Sequence, residues 1–388
     1  MPSPLSGTFV VDLSRHLPGP LAGRLLSDLG ARVVKVEEPA LGDPVRLSPP
    51  VREGVGALGG ILLAGIESVA LDLKDPGARE VLERLLARAD VLLESFRPGT
   101  LARLGFPPEE LRRRFPGLVI CSLTGWGQTG PYKARAGHDL TYQAAAGTLA
   151  STVAMPAVPV ADLIGAWSAV TAILAALLER QRTRQGRWID ASLYDAGLHA
   201  NLVAWAVEVG GAKGVGEPLP LTGALPCYDI YETADVRGLA LGALEPHFWQ
   251  RLCQAVGRRD LVRRQYNASR RVRRQVRDLF RSRTLAKWME ILGREDIPGE
   301  PILSAAEARA HPQAQERAVL SSGPDHLPRV AFPARFDGER PRPGGHVPEL
   351  GEHTKALLAE LGVPRDVETS PGVGRRFSLK RWLRTVLR

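Results

Sequence analysis

Between Gly7 and Gly125 the chain repeats one pattern: a short run of branched apolar residues, a turn marked by Gly or Pro, then an amphipathic helical stretch. TFVVDLS, ARVVKVEEP, VALDLKD, ADVLLESF and GLVICSLTG read as strands, with GPLAGRLLSDLG, PGAREVLERLLARA and PEELRRRF as helices between them. Such alternation requires a parallel sheet, because a parallel crossover must carry its helix over one face of the sheet. The fold class expected is α/β, with a large doubly wound, Rossmann-like domain. Right-handed crossovers gather the loops that follow the strands at one edge, where ligands bind in such folds. The RPG turn at 97–99 and the TGWGQTGP turn at 124–131 belong on that edge.

A long apolar helix is expected over about 163–182, followed by the strand RWIDASLYD and a second helix near 195–209. Gly and Pro then dominate 210–226, as in a linker. CYDIYETADVRGLALGAL alternates like a hairpin, and the chain from EPHFWQRLCQAVG to about 310 is mainly helical. The expected division is residues 1–209 for the first part of the large domain, a linker at 210–226, a smaller α+β domain at 227–310, a return to the large domain at 311–364, and a basic tail at 365–388.

Composition narrows the class without naming a chemistry. With 388 residues, 44% of them apolar and 24% charged, the chain suits a soluble two-domain protein rather than a disordered or fibrous one. Cys121, Cys227 and Cys253 are too scattered for a disulfide framework or a zinc knuckle, which implies a reducing, cytoplasmic setting. The first residues lack a signal peptide's basic start and apolar core, and charge interrupts the apolar runs near 169–178, so neither export nor a membrane span is expected.

The net charge of +9 is local: 258–283 carries eleven arginines against Asp260 and Asp278, 371–388 adds six basic residues, and the rest of the chain is acidic. Such blocks are solvated helical faces or contacts for phosphate or polyanions, but no zinc-finger spacing or RNA-binding aromatic pair accompanies them, so nucleic acid is not the expected partner. The tail RRFSLKRWLRTVLR has the spacing of a short amphipathic helix that docks on the body or touches an anionic surface.

Three ionisable residues stand where a core would not need them. His138, in GHDLTY, can exchange protons near neutrality, or it is a surface histidine holding its loop. Asp162 heads the long apolar helix and reads either as its N-cap or as an acid beside the helix amides. Glu245, before Pro246 in GALEPHFW, is a poor cap and otherwise an exposed glutamate. LPGPLAG and TGWGQTG lack the spacing of a dinucleotide fingerprint, and there is no P-loop, GxSxG or HExxH. No metal or redox cofactor is implied.

The stretches PLSGTFVVDLSRHLPGPLAGRLLSDLGARVVKVEEP, SVALDLKDPGAREVLERLLARADVLLESFRPG, SLTGWGQTGPYKARAGHDLTYQAAAG, LLERQRTRQGRWIDASLYD and LGALEPHFW together resemble the class III CoA-transferase superfamily, and within it the α-methylacyl-CoA racemases. The resemblance spans roughly 4–310, with PELGEHTKALLAELG as a later echo. It implies an interlocked homodimer whose active site joins one chain's large domain to its partner's small domain. It also implies racemisation of 2-methylacyl-CoA thioesters, with His138, Asp162 and Glu245 as the acid/base set, CoA carried as part of the substrate, and no further cofactor.

The transferase branch of the same superfamily moves CoA between carboxylic acids through an aspartyl intermediate, here at Asp162, and typically lacks the histidine and glutamate. A scaffold or polyanion-binding protein is the non-catalytic alternative. For the CoA phosphates the resemblance points to Arg97, with Lys35 and Arg46 nearby, and to the turn glycines Gly125 and Gly127. Relatives carry a basic run before SVALDLK, whereas this chain has LLAGIE there, together with Glu37–Glu38, and Ala161 replaces the usual glycine before the aspartate. Those departures imply weakened or altered CoA binding unless the 258–283 arginines compensate.

Overall fold

A computed structural model describes residues 3–52, 54–150, 154–211, 220–341 and 344–363. Most of the expected linker, 212–219, and the whole tail from 365 lie outside the described residues. The chain packs as two compact units: Met1–Ala146, Ala157–Ala200 and Pro312–Arg388 in the first, Gly147–Pro156 and Asn201–His311 in the second. The second unit thus begins at Asn201, ahead of the boundary expected at 209, and takes up a short stretch near 150.

The first unit is built on a sheet of six strands: β1 (Phe9–Asp12), β2 (Arg32–Glu37), β3 (Glu67–Ala70), β4 (Val91–Glu94), β5 (Val119–Thr124) and β6 (Trp188–Ser192). All pair in parallel, in the order β3-β2-β1-β4-β5-β6. This is a mixed α/β fold with a doubly wound sheet, and its strand order reverses between β1 and β4. At that reversal successive crossovers leave in opposite directions and open a crevice beyond the strand ends.

Strand periodicity explains why both faces are dry. Val10 and Val33 point to one face with Leu93, Cys121 and Leu123, whereas Val11 and Val34 point to the other with Leu92 and Ile120. On the first face lie α1 (Pro18–Asp28) and the long α4 (Val160–Thr183); on the second lie α2 (Pro76–Leu86) and α9 (Thr354–Glu360). The last of these returns from the C-terminal part of the chain. It is tied to the edge strand by Ala70 N–H donating to Thr354 Oγ1 at 3.0 Å and by His353 N–H donating to the Ser68 carbonyl at 2.9 Å.

By length and composition α4 is apolar enough to cross a membrane, contrary to the sequence expectation of interrupted apolar runs. Its small residues Ala161, Gly165, Ala166 and Ala169 instead form a buried face in the core. At Gly165 an added Cβ would lie 2.3 Å from Leu193 Cδ2, so a larger residue there would force the first side chain of α5 (Leu193–Ala200) to move. The helix begins at Val160, earlier than expected, which places Asp162 inside its first turn.

The second unit carries an antiparallel sheet, β9-β8-β7, of β7 (Tyr228–Glu232), β8 (Gly238–Gly242) and β9 (Gly299–Pro301). The expected hairpin is β7 and β8. The three-residue β9 was invisible in sequence, since it is too short to show alternation. Helices α6 (Pro246–Ala255), α7 (Arg270–Phe280) and α8 (Leu285–Arg294) cover one sheet face around buried Tyr231, Trp249, Phe280 and Trp288. The two indoles are satisfied by carbonyls, Trp249 by Leu261 at 2.9 Å and Trp288 by Phe280 at 2.8 Å, so their burial leaves no donor stranded.

Candidate active site

The crevice at the strand reversal is walled by the loops after β1 and β4. Leu13 N–H donates to the Leu93 carbonyl at 2.8 Å and Arg15 N–H to Ser95 Oγ at 2.9 Å, which stitches the two loops together. Arg97 is exposed at the tip of the β4 loop and borders a cavity of about 160 Å³ with Glu94, Ser122, Gln128 and Trp188. Burial pushes the Glu94 carboxyl up, and hydrogen bonds from Ser122 and the Phe96 amide only partly oppose it.

His138 immediately precedes α3 (Asp139–Ala145) and is exposed. Its amide donates to Thr141 Oγ1 at 3.0 Å, and that hydroxyl donates back to the His138 carbonyl at 2.8 Å. Thr141 thus fixes the backbone of the turn, and His138 and Thr141 face each other in a reciprocal capping box at the start of α3.

Asp139 connects this turn to the next helix. Its Oδ1 accepts the Asp162 amide at 3.1 Å and its Oδ2 accepts Gln143 Nε2 at 2.6 Å. Asp139 thus does for α4 what an N-cap does, and Asp162, third residue of that helix, makes no capping bond with its own side chain. The N-cap expectation for Asp162 is corrected accordingly. Burial, together with the nearby negative charge of Asp139, raises the Asp162 carboxyl to about 7. The Asp162 amide is taken by Asp139 and the Leu163 amide by the Pro159 carbonyl, so neither is free for a further acceptor.

Two residues at this site escaped sequence reasoning. Tyr142 is buried between the turns of Gly125 and Gly137: a Cβ on Gly125 would meet its Oη at 2.1 Å, and one on Gly137 its Cε1 at 2.5 Å. Burial and the Asp162 charge raise its phenol to about 12, against the pull of Arg97, so its hydroxyl stays protonated among these groups. Gly127 has φ +82°, a left-handed turn position, and the following Gln128 amide is held by Asp190 at 3.0 Å.

The second missed residue, His16, sits in the β1 loop with φ +70°, and its amide donates to Asp43 Oδ1 at 3.1 Å. Loss of water around its ring lowers the imidazole pKa and the neighbouring charge of His138 adds to that, while Asp43 opposes both. A histidine in left-handed backbone was the signal available, but φ cannot be read from sequence.

Glu245 belongs to the second unit. It precedes α6 in extended backbone, is exposed, and accepts the Phe248 amide at 3.1 Å through its carbonyl, while its carboxylate makes no capping bond.

Lys35 and Arg46, expected near the CoA phosphates, are corrected by the structure. Lys35 is fully buried, its ammonium 2.6 Å from the Ser14 carbonyl, 3.0 Å from Asp43 Oδ2 and 3.4 Å from Asp12 Oδ2. Arg46 spends Nε and Nη2 on Glu37 at 2.7 and 2.6 Å and Nη1 on the Pro348 carbonyl at 2.7 Å. Lys35 has no donor left for a phosphate, and Arg46, with two of its five N–H groups uncommitted, has its charge held by Glu37. The residues that depart from the superfamily pattern are likewise structural: Glu38 accepts the Ala40 and Leu41 amides at 2.9 and 3.0 Å, and Glu67 pairs with Arg32 at 2.7 Å.

The profile of CoA-transferase family III matches residues 5–354. The chain belongs to CoA-transferase family III. It is 33% identical over 376 residues to the α-methylacyl-CoA racemase of Homo sapiens, covering 93% of this chain and 94% of that one. It is also 31% identical over 382 residues to the acetyl-CoA:oxalate CoA-transferase of Acetobacter aceti, with 93% and 96% covered. Among solved structures, a CAIB/BAIF family protein from Brucella suis superposes with a TM-score of 0.82 at 30% identity, over 93% of this chain and all of that one. Racemases and transferases stand at nearly equal identity, so overall similarity assigns the family and not the reaction.

Proposed function

We propose that this family III protein racemises 2-methylacyl-CoA thioesters by removing and returning the α-proton. The observation that carries the reading is that Asp139, next to His138, binds the first turn of the helix bearing Asp162, whose own carboxyl makes no capping bond. A lone base would stall, since a hydrogen α to a thioester is far less acidic than imidazolium. Inversion further needs a base on one face of the carbon and an acid on the other.

In the proposed cycle the His138 ring takes the α-proton. The C–H electron pair becomes the enolate double bond, and negative charge moves to the thioester oxygen. Asp162, raised to about 7, is partly protonated near neutrality and returns a proton to the opposite face. Glu245 of a partner chain supports the histidine, Arg97 holds CoA phosphates, and the amides about Gly125 and Gly127 line the path. CoA enters as part of the substrate and the scheme calls on no other cofactor. The protein acts as a cytoplasmic homodimer in this reading, which the apolar cavity of about 720 Å³ along β7 and β8, including exposed Ile230, supports as a face for a second copy.

The test is solvent deuterium entering the α-carbon of a chiral 2-methylacyl-CoA, compared in wild type, H138A and D162N. Loss of exchange in both folded variants is expected; full exchange in either removes that residue from its role. The second reading, CoA transfer through an Asp162 anhydride, is favoured by the 31% identity to a transferase. Acyl exchange between a labelled free acid and CoA, without α-deuterium uptake, would replace racemisation with it.

A further inference from the structure

Charge that builds on a thioester oxygen needs a hydrogen-bond donor aimed at it, whether a proton leaves the α-carbon or a carboxylate attacks the carbonyl. At the head of α4 the amides of Asp162 and Leu163 are already committed. The phenol of Tyr142 is enclosed by the turns of Gly125 and Gly137. His16, by contrast, is exposed, in the loop after β1 at the reversal of strand order.

That loop is fastened on both sides of the histidine. Leu13 and Arg15 bond to the β4 loop, and the Ser14 carbonyl accepts Lys35 Nζ at 2.6 Å. The His16 amide donates to Asp43 Oδ1, and Asp43 is held in turn by Lys35 at 3.0 Å and by the Val45 amide at 3.0 Å. These bonds keep His16 at φ +70°, a left-handed backbone that non-glycine residues adopt uncommonly and that persists where its surroundings over-determine it. Only the amide is used in this clamp; the ring makes no hydrogen bond among the described residues. A packing role would bury the ring, and a solvating role would need no clamped backbone.

We propose that the His16 imidazole donates an N–H hydrogen bond to the thioester oxygen of the bound acyl-CoA. This role rests on the crevice holding an acyl-CoA thioester, and it serves either reaction of the carbonyl. In racemisation the C–H pair becomes the enolate double bond and the carbonyl π pair moves to oxygen. In CoA transfer, attack by the Asp162 carboxylate moves the same π pair to the same oxygen. In both, the proton of His16 stays on nitrogen while the hydrogen bond shortens. A neutral ring suits this task, because its N–H is too weak an acid to be lost to the oxygen. Loss of water opposes a second proton on the ring, as do the charges of His138, Arg15 and Lys35, and Asp43 alone favours one. Once His138 has taken the α-proton its charge adds to that opposition, so His16 remains neutral while the oxygen is negative.

The test is infrared spectroscopy of pivaloyl-CoA, which has no α-hydrogen to lose, bound to the full chain as wild type, H16G and H16N. The thioester carbonyl band should move to lower frequency on wild type and stay near its solution position on H16G. H16N should keep part of the shift, since asparagine retains an N–H donor and tolerates left-handed backbone. With a chiral 2-methylacyl-CoA, kcat for α-deuterium exchange should fall roughly 10²-fold in H16G with KM changed by no more than about threefold. H16G should be no less stable than wild type in urea, because glycine accepts this φ freely, which separates lost donation from lost folding. A carbonyl shift with acyl exchange and no deuterium uptake in wild type would remove the racemase reading and leave His16 in its role. No shift on wild type, an equal shift on H16G, or a raised KM with kcat intact would overturn the proposal.

Discussion

Glu37 and Asp162 are carboxylates in the same unit, and their surroundings drive them in opposite directions. Burial alone would raise Glu37, yet Arg46 binds both its oxygens and holds it at about 2, with help from Lys35 and the Asp43 amide. Asp162 is also shielded from water, but the charge acting on it is that of the like-charged Asp139, and it rises to about 7. The difference separates two kinds of ionisable cluster at one sheet. Around Lys35 the carboxylates of Asp12, Asp43 and Glu37 face the cations of Lys35 and Arg46, so the cluster fastens loops and the returning C-terminal segment. Around Asp162 the charges are left uncompensated, as a proton-transfer site requires.

The strongest challenge to this contrast is removal of the uncompensated groups. H138A and D162N should each lower α-deuterium exchange by roughly 10²–10⁴-fold, with circular dichroism unchanged. A drop of less than a few-fold would place the residue outside the chemistry. For the compensated cluster the damage should be to the fold: K35M leaves Asp12 and Asp43 buried without their cation and should cost about 3–5 kcal/mol in urea unfolding. Stability close to wild type would mean that water or a rearranged side chain replaces the ammonium.

The next prediction follows from the sign of each shift. The raised pKa of Asp162 means that the folded state holds this proton more tightly than the unfolded chain, so the group's contribution to stability falls as pH rises from about 4 through about 7. D162N should therefore be more stable than wild type by about 1–3 kcal/mol near pH 8, and the gain should vanish near pH 4. Glu37 runs the other way: its contribution is present above about pH 4.5 and disappears as pH falls through about 2, so E37Q should approach wild type only in strong acid. Thermal melts across pH check both, and parallel curves for the two variants would dissolve the contrast.

The smallest expected effect is at His16. In H138A its imidazole should titrate upward by less than about one pH unit, because one neighbouring positive charge is gone. An unmoved midpoint in an NMR titration would show that the two rings do not sense each other.

Legibility in the sequence followed the range of the interactions involved. The strands and helices of the first unit were readable because period and punctuation are local, and GHDLTY and GALEPHFW were visible as local oddities. Lys35 and Arg46 were misjudged for the converse reason. A basic residue looks the same in sequence whether it meets a ligand or a buried carboxylate, and the partners Asp12, Asp43, Glu37 and Pro348 are brought in by the fold. Asp162 reads equally as a cap or an acid in the sequence because the residue that supplies the cap's oxygen, Asp139, lies twenty-three positions earlier.

The amino-acid sequence by itself determined the parallel α/β architecture, the family and the three ionisable residues worth attention, since hydrophobic period and short motifs are written along the chain. Tertiary structure decided which charges are spent and which are free. A charge's chemistry depends on its distance from water and from other charges, and those distances exist only once β1, β2, α3 and α4 have packed.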